Sequence, residues 1–501
     1  SFEITIEPIP DLSPLTDQVI CGGTSFVSPV FSSDVALTNY TWTLTNGQTL
    51  PATISGYQIS GSGQLSGIII GNTGDEPQIL TYIIVPSAAG CDGIGEEFNI
   101  TVNPAPQVQF SLPFQSICNG NSSQSVSITS PTPGANIVWT ITDQPLALQG
   151  VTQNNGTNEI PVFTLTHLEN VPQTLVFEAS ASTSGALACP GTPTSYSITV
   201  NPSPTVDDPT DQVICNGSTS SAVVFTGTGT SYTWTNNTPS IGLGASGSGN
   251  INAFNALNGN TTPLTSTVTV TAQFTGGGTT CPGTQQSFTY TVNPTPSVSD
   301  LVDQVVCNGS STDQVTFGGT GTSYTWTNNT PSIGLSAAGT GQIPSFTAVN
   351  TSSVPVTATI SVTPVFTGSG LSCSGPAQSF TITVNPTPIV NDPSDLVVCA
   401  NSSTSAVVFS GTGTSYSWTN NTPGIGLGSN GTGNINSFTA INPGITPVVA
   451  TITVTPDFTG GSASCPGIAQ SFTITVNPVP SVNDLLDQTV CNGSSFEALL
   501  F

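Results

Sequence analysis

Eleven cysteines are the residues of this 501-residue chain best placed to do chemistry, and their spacing is regular. Cys21, Cys118, Cys215, Cys307, Cys399 and Cys491 follow one another in steps of 97, 97, 92, 92 and 92 residues. Between them fall Cys91, Cys189, Cys281, Cys373 and Cys465, each 66 to 71 residues after the cysteine before it. Thiols in this number and order form disulfides outside a reducing cytoplasm. The expected pairing closes each unit on itself: Cys21–Cys91, Cys118–Cys189, Cys215–Cys281, Cys307–Cys373 and Cys399–Cys465. Cys215 precedes Asn-Gly-Ser and Cys281 precedes Pro-Gly, so each bond is expected as a staple at the strand ends. The competing pairing joins the second cysteine of one unit to the first of the next, as Cys91 with Cys118, and ties neighbours together. Closing a loop of this size contributes about 4 kcal/mol on the chain-entropy model. Cys491 has no follower because the chain stops at Phe501.

The remaining reactive groups are few. There is no Lys, Arg or Met, one His (His167) and 26 acidic residues, for a formal net charge of −26. His167 occurs in one unit only, so no triad or metal site built on imidazole belongs to the repeat. Paired carboxylates could hydrolyse glycosides, but the acids here are sparse and gather near the joints between units. The chain is therefore not expected to be an enzyme. Without cations it has nothing to neutralise phosphates, which excludes nucleic acid and anionic membrane surfaces as partners. Trypsin-like proteases find no site, and Lys–Asn isopeptide bonds cannot form. The joint acids Asp11 and Asp17, Asp207, Asp208 and Asp211, Asp300 and Asp303, Asp392 and Asp395, and Asp484 and Asp487 are weak candidates for Ca²⁺ that would stiffen a joint. The plainer expectation is that they cap turns and solubilise the surface. No other cofactor is expected.

The elements that position these groups repeat with them. One Trp falls in each unit, at Trp42, Trp139, Trp234, Trp326 and Trp418, 19 or 21 residues after the first cysteine. Each unit closes with a strand and a proline joint, as in Ile100 to Pro106 and Tyr290 to Pro296. Within units the apolar period is two. Tyr232 and Trp234 share one face and Thr233 and Thr235 the other, which buries the tryptophans as core rather than exposing them as sugar platforms. Asn-Gly and Gly-Thr-Gly mark turns. About seven short strands per unit predict an all-β fold, a tandem array of immunoglobulin-like antiparallel β-sandwiches forming an elongated rod. The division reads as the last strand of a preceding repeat (1–10), five repeats (11–106, 107–204, 205–296, 297–388 and 389–480) and the start of another (481–501). Proline joints favour stiff, extended connections, and five units would span on the order of 150–200 Å. No apolar run approaches the roughly 18–20 residues of a membrane helix.

The string Asp-Gln-Val-Val-Cys-Asn-Gly-Ser (303–310), then Gly-Thr-Ser-Tyr-Thr-Trp-Thr-Asn (321–328) and Phe-Thr-Ile-Thr-Val-Asn-Pro-Thr-Pro (380–388), resembles the PKD-like repeats of very large surface adhesins in Bacteroidota. Gliding-motility adhesins of the SprB type, exported by the type IX secretion system, look like this. The first two units depart in spacing and in the segment after the Trp. The resemblance implies a cell-surface filament with no catalytic residues, acting in attachment and gliding. Its partners would be other repeats of the chain, the secretion and gliding machinery, and a surface or polysaccharide bound elsewhere. Two alternatives stand beside it: repeats that bind glycan through loops such as Asn236-Asn237-Thr238-Pro239, or spacers of a secreted polysaccharide-degrading enzyme.

Overall fold

The computed structural model describes residues 2–45, 49–482, 484, 487–495, 497 and 498. The chain is all-β, and the same five-stranded sheet recurs in each of the five units. In the third unit its members are an opening strand (Gln212–Cys215), a Trp strand (Ser231–Asn236), an edge strand (Ser246–Ser248), a long strand (Leu264–Gly276) and a closing strand (Thr279–Asn293). In space they run opening, closing, long, Trp, edge. The second layer is thin, a set of short pairs such as Val223 with Ile251 and Thr219 with Asn255.

Alternation explains the layers. Along the long strand Val268, Val270 and Ala272 face inward at 0% exposure, while Thr267, Thr269 and Thr271 face outward. The buried set joins Ile214, Phe225, Trp234, Ile251, Phe288, Tyr290 and Val292 in one cluster. Equivalent clusters fill the other units, and none of the five draws residues from two units. With no cation for ion pairs, the outward faces are tied by hydroxyls. Thr265 bonds Thr291 at 3.1 Å and Thr269 bonds Ser287 at 3.0 Å, across neighbouring strands.

One pairing departs from the antiparallel expectation. The opening strand runs parallel to the closing strand, with Gln212 opposite Tyr290 and Cys215 opposite Asn293. The same parallel register recurs in the other four units. Parallel strands need a long crossover, and here the whole sandwich is the crossover. First and last strands thus point the same way, so the chain leaves each unit in the direction it came in.

All five tryptophans are buried. Each faces a glycine on the edge strand: Trp234 is opposite Gly247, and a Cβ there would lie 2.3 Å from Trp234 Cζ2. Gly61, Gly156, Gly339 and Gly431 are held against their tryptophans in the same way. Any side chain at this position must displace the indole or the edge strand. We expect Gly247→Ala to cost about 1–3 kcal/mol by overpacking, read as a lowered transition for the third unit in calorimetry with the other transitions unmoved.

Candidate functional site: the joint between consecutive units

The parallel pairing decides where the cysteines lie. Cys215 ends the opening strand beside Asn293, at the downstream end of the third unit. Cys281 sits near the start of the closing strand, twelve residues before Asn293. At about 3.3 Å per residue that is on the order of 40 Å along one strand, whereas a disulfide needs Cα atoms within about 7 Å. The two cysteines of one unit therefore cannot meet. The pairs Cys21–Cys91, Cys118–Cys189, Cys215–Cys281, Cys307–Cys373 and Cys399–Cys465 are replaced by Cys21–Cys189, Cys118–Cys281, Cys215–Cys373 and Cys307–Cys465. Each bond joins the first cysteine of one unit to the second of the next, with Cα atoms 5.3 to 5.6 Å apart. The alternative of Cys91 with Cys118 also fails, because those two lie at the far ends of adjacent units. Cys91, Cys399 and Cys491 are unpaired among the described residues.

A specific interface surrounds three of the four bonds, those from Cys118, Cys215 and Cys307. The hairpin between the long and closing strands of the following unit reaches back onto the preceding one. At the joint of the second and third units, Asn201 Nδ2 and Ser116 Oγ both donate to the Gly276 carbonyl at 2.9 Å. Thr279 Oγ1 returns a bond to the Ser116 carbonyl at 2.9 Å. Asn293 Nδ2 takes Gly368 and Leu371 carbonyls at 2.9 and 3.2 Å, and Asn385 Nδ2 takes the Gly460 carbonyl at 2.9 Å. These three asparagines are almost fully buried. Each is the Asn of the Asn-Pro-X-Pro joint, so the motif supplies a hydrogen-bonding clamp as well as stiff prolines. The sequence reading used only the prolines.

A second missed signal is the glycine two residues after each second cysteine. A Cβ on Gly283 would lie 1.7 Å from the Pro204 carbonyl oxygen, and on Gly375 1.9 Å from that of Pro296. Gly93, Gly191 and Gly467 meet Pro10, Pro106 and Pro388 likewise. Only a bare backbone lets the hairpin base touch the proline joint. The repeated Cys-X-Gly is visible in the sequence, where it reads only as a turn beside the cysteine.

The joint aspartates serve the sheet. Asp211 Oδ1 accepts the Thr289 amide at 2.6 Å, Asp303 that of Thr381 at 2.6 Å, and Asp395 that of Thr473 at 2.7 Å. Asp17 accepts the Asn99 amide at 2.9 Å. Each carboxylate pins the start of the opening strand to the closing strand. Asp207 takes the Thr226 hydroxyl at 2.7 Å and Asp300 the Ser299 hydroxyl at 3.1 Å, while Asp208 and Asp392 are exposed. Among the described residues no three His, Cys, Asp or Glu side chains come together as a metal site.

The other candidates are structural too. His167 is buried, and its Nε2 lies 3.1 Å from the Val200 carbonyl. Asn258, Asn350 and Asn442 make the same contact through Nδ2, with the Val292, Val384 and Val476 carbonyls. His167 thus stands in for a structural asparagine. At the end of the Trp strand and just beyond it, Asn236 Nδ2 donates to the Leu243 carbonyl at 2.9 Å, and Asn237 Oδ1 accepts the Thr267 amide at 2.9 Å. Those amides are engaged within the unit.

Two segments, residues 18–106 and 115–204, match the model of the PKD-like domain family. No curated protein matches the chain. Among solved structures it is similar to Sidekick-1 immunoglobulin domains 1–5, at 12% identity and TM-score 0.23 over 94% of this chain and 99% of that one. It is also similar to the N-terminal eight Ig domains of Down Syndrome Cell Adhesion Molecule, at 11% identity and TM-score 0.30 over 96% and 74% of the two chains. Protocadherin Gamma B2 cadherin domains 1–5 give 13% identity and TM-score 0.24 over 94% and 100%. The chain is a tandem array of all-β sandwich units, two of which match the PKD-like domain family.

Two tests follow from the joint. Asn385→Ala leaves the Gly460 carbonyl buried without its donor, at a cost of about 1–3 kcal/mol. We expect the Cys307–Cys465 bond of that variant to be reduced several-fold faster by a small thiol, measured by alkylation and mass spectrometry, with Cys215–Cys373 unchanged. The Thr473 backbone amide, and after it the Thr473 hydroxyl, hold the Asp395 carboxyl below its ordinary value. A carboxyl depressed in the folded state adds stability that is present above the unfolded value and lost as pH falls through the folded one. Thermal unfolding of Asp395→Asn should therefore lose part of the decline that the parent shows below about pH 4, and should lie below the parent at pH 7.

Proposed function

We propose that the chain is a tension-bearing stalk segment of a large secreted cell-surface adhesin, of the gliding-motility type exported by type IX secretion, and that it has no catalytic role. In this reading each repeat (11–106, 107–204, 205–296, 297–388 and 389–480) is one mechanical unit. The adhesive contact lies on other parts of the molecule, and the working location is the cell surface.

The observation that carries the reading is the overlap of the disulfides. The Cys118–Cys281 loop contains Cys189 and Cys215, whose partners lie in the units on either side. Two covalent tracks therefore interleave. One runs Cys21 to Cys189, along the chain to Cys215, across to Cys373 and on to Cys399. The other runs Cys118 to Cys281, along to Cys307 and across to Cys465. From Cys215 to Cys399 the polypeptide takes 184 residues, but the track takes one disulfide and the 26 residues after Cys373. The rest of each sandwich is shunted out of the load. At about 3.5 Å per residue the track stops at roughly 90 Å and the bare polypeptide at roughly 640 Å. A spacer that binds or catalyses gains nothing from such a limit; a load line does.

Single-molecule pulling between handles beside Cys215 and Cys399 tests the reading. Oxidised chain should reach its stop near the shorter length, and reduced chain should lengthen several-fold further. Equal lengthening in both states would remove the load-bearing role.

A further inference from the structure

The two cysteines of each joint disulfide differ in exposure, and always in the same sense. The hairpin cysteines Cys189, Cys281, Cys373 and Cys465 are 1, 1, 4 and 2% exposed. Their receptor partners Cys21, Cys118, Cys215 and Cys307 are only half-buried. At the joint of the third and fourth units a cleft of about 370 Å³ opens on one side of the bond. Val213, Ile214, Ser218, Thr219 and Ser221 line it from the third unit, and Leu371 of the next hairpin closes it. Cys215 lines this cleft and Cys373 does not.

Disulfide exchange needs a thiolate to reach one sulfur and the other sulfur to leave. Access selects the first. A reagent in the cleft meets Cys215, whereas Cys373 is buried within the hairpin. Departure of the second is disfavoured, because burial in apolar surroundings destabilises a thiolate. The chain has no Lys or Arg to offset that cost. No charged side chain lines the cleft, and a net charge of −26 repels anionic reagents from the whole molecule. Once released, the Cys373 sulfur stays close. Asn293 Nδ2 still holds the Gly368 and Leu371 carbonyls of its hairpin, at 2.9 and 3.2 Å.

We propose that the cleft beside Cys215 is a thiol–disulfide exchange site for a small uncharged thiol, and that attack there falls on the receptor sulfur alone. The reagent thiolate attacks Cys215 Sγ and forms a new S–S bond. The Cys215–Cys373 bond breaks, and its electron pair leaves on Cys373 Sγ, which takes a proton from water. The clamped hairpin then reverses the step. Cys373 gives its proton back, attacks Cys215 Sγ and expels the reagent as a thiolate. Nothing is oxidised or reduced over the cycle, so the bond recloses without an oxidant.

The test treats the full chain with 2-mercaptoethanol at neutral pH and quenches it in acid at short times. Free thiols are then alkylated under denaturing conditions, and chymotryptic peptides are read by mass spectrometry. Chains opened at this joint should carry the reagent on Cys215 and the alkyl group on Cys373. Reagent on Cys373, or on both cysteines equally, would overturn the proposal. Ser218 is exposed at the rim of the cleft. Ser218→Trp should slow the attack several-fold and Leu371→Ala should speed it several-fold, with Cys118–Cys281 as the unchanged internal reference. Rates indifferent to both substitutions would count against the site. At matched thiolate concentration, 2-mercaptoethanesulfonate, an anion of similar size, should react several-fold more slowly than 2-mercaptoethanol; equal rates would remove the preference for an uncharged thiol. Diluting the reagent in the absence of oxygen should restore the Cys215–Cys373 bond, and persistence of the mixed disulfide would show that the hairpin sulfur does not return.

Discussion

Everything distinctive in this molecule depends on the parallel pairing of each unit's first strand with its last. Hydrogen bonding sets Cys215 beside Asn293 and Cys307 beside Asn385, and that register fixes one end of the unit as a receptor. The antiparallel turn from long strand to closing strand puts the hairpin, with the other cysteine, at the opposite end. A unit so built cannot satisfy its own sulfurs. It is complete only between two neighbours, which is why the bonds run along the array and not within its members.

The same logic governs the polar chemistry. A chain with no Lys or Arg has no ion pairs with which to stiffen edges or joints, and a carboxylate has only amides and hydroxyls to approach. Asp211, Asp303 and Asp395 accept backbone amides of the closing strand, and Thr265 and Thr291 pair hydroxyls across strands. The joints use asparagine, whose neutral amide donates to a carbonyl without the desolvation cost of a buried charge. The interface is built from dipoles, so the screening by salt that weakens exposed ion pairs acts on it little.

Much of this was legible in the residues. The alternation of Tyr232 and Trp234 with threonines gave the burial of the indole, and the cysteine period gave the repeat. The disulfide partners were not legible from separation alone, because 66 residues looks like a closed loop until the strand order is known. The period-two pattern is the same for parallel and antiparallel neighbours, so nothing in Gln212–Cys215 announced its direction. Two marks of the joint were present and unread. In the sequence the Asn ahead of each Pro-X-Pro reads as part of a proline linker, and the glycine of Cys-X-Gly as a loop residue. Their roles exist only across a boundary between units, where a pattern read within one unit does not look. His167 was separated from catalysis because one unit alone carried it, yet its equivalence to Asn258 needed the shared carbonyl contact to be seen.

The second, third and fourth units each contribute one receptor cysteine and one hairpin cysteine to two different bonds. Removing or duplicating a whole repeat therefore leaves every remaining sulfur within the array with a correct neighbour. An array closed by bonds within each unit would share that tolerance but would have only the main chain as a covalent link at every boundary. Stretches that share one pattern, such as 205–296, 297–388 and 389–480, could be lost or repeated and the cross-bracing would still close. Length becomes a heritable variable of the molecule that is separable from its strength.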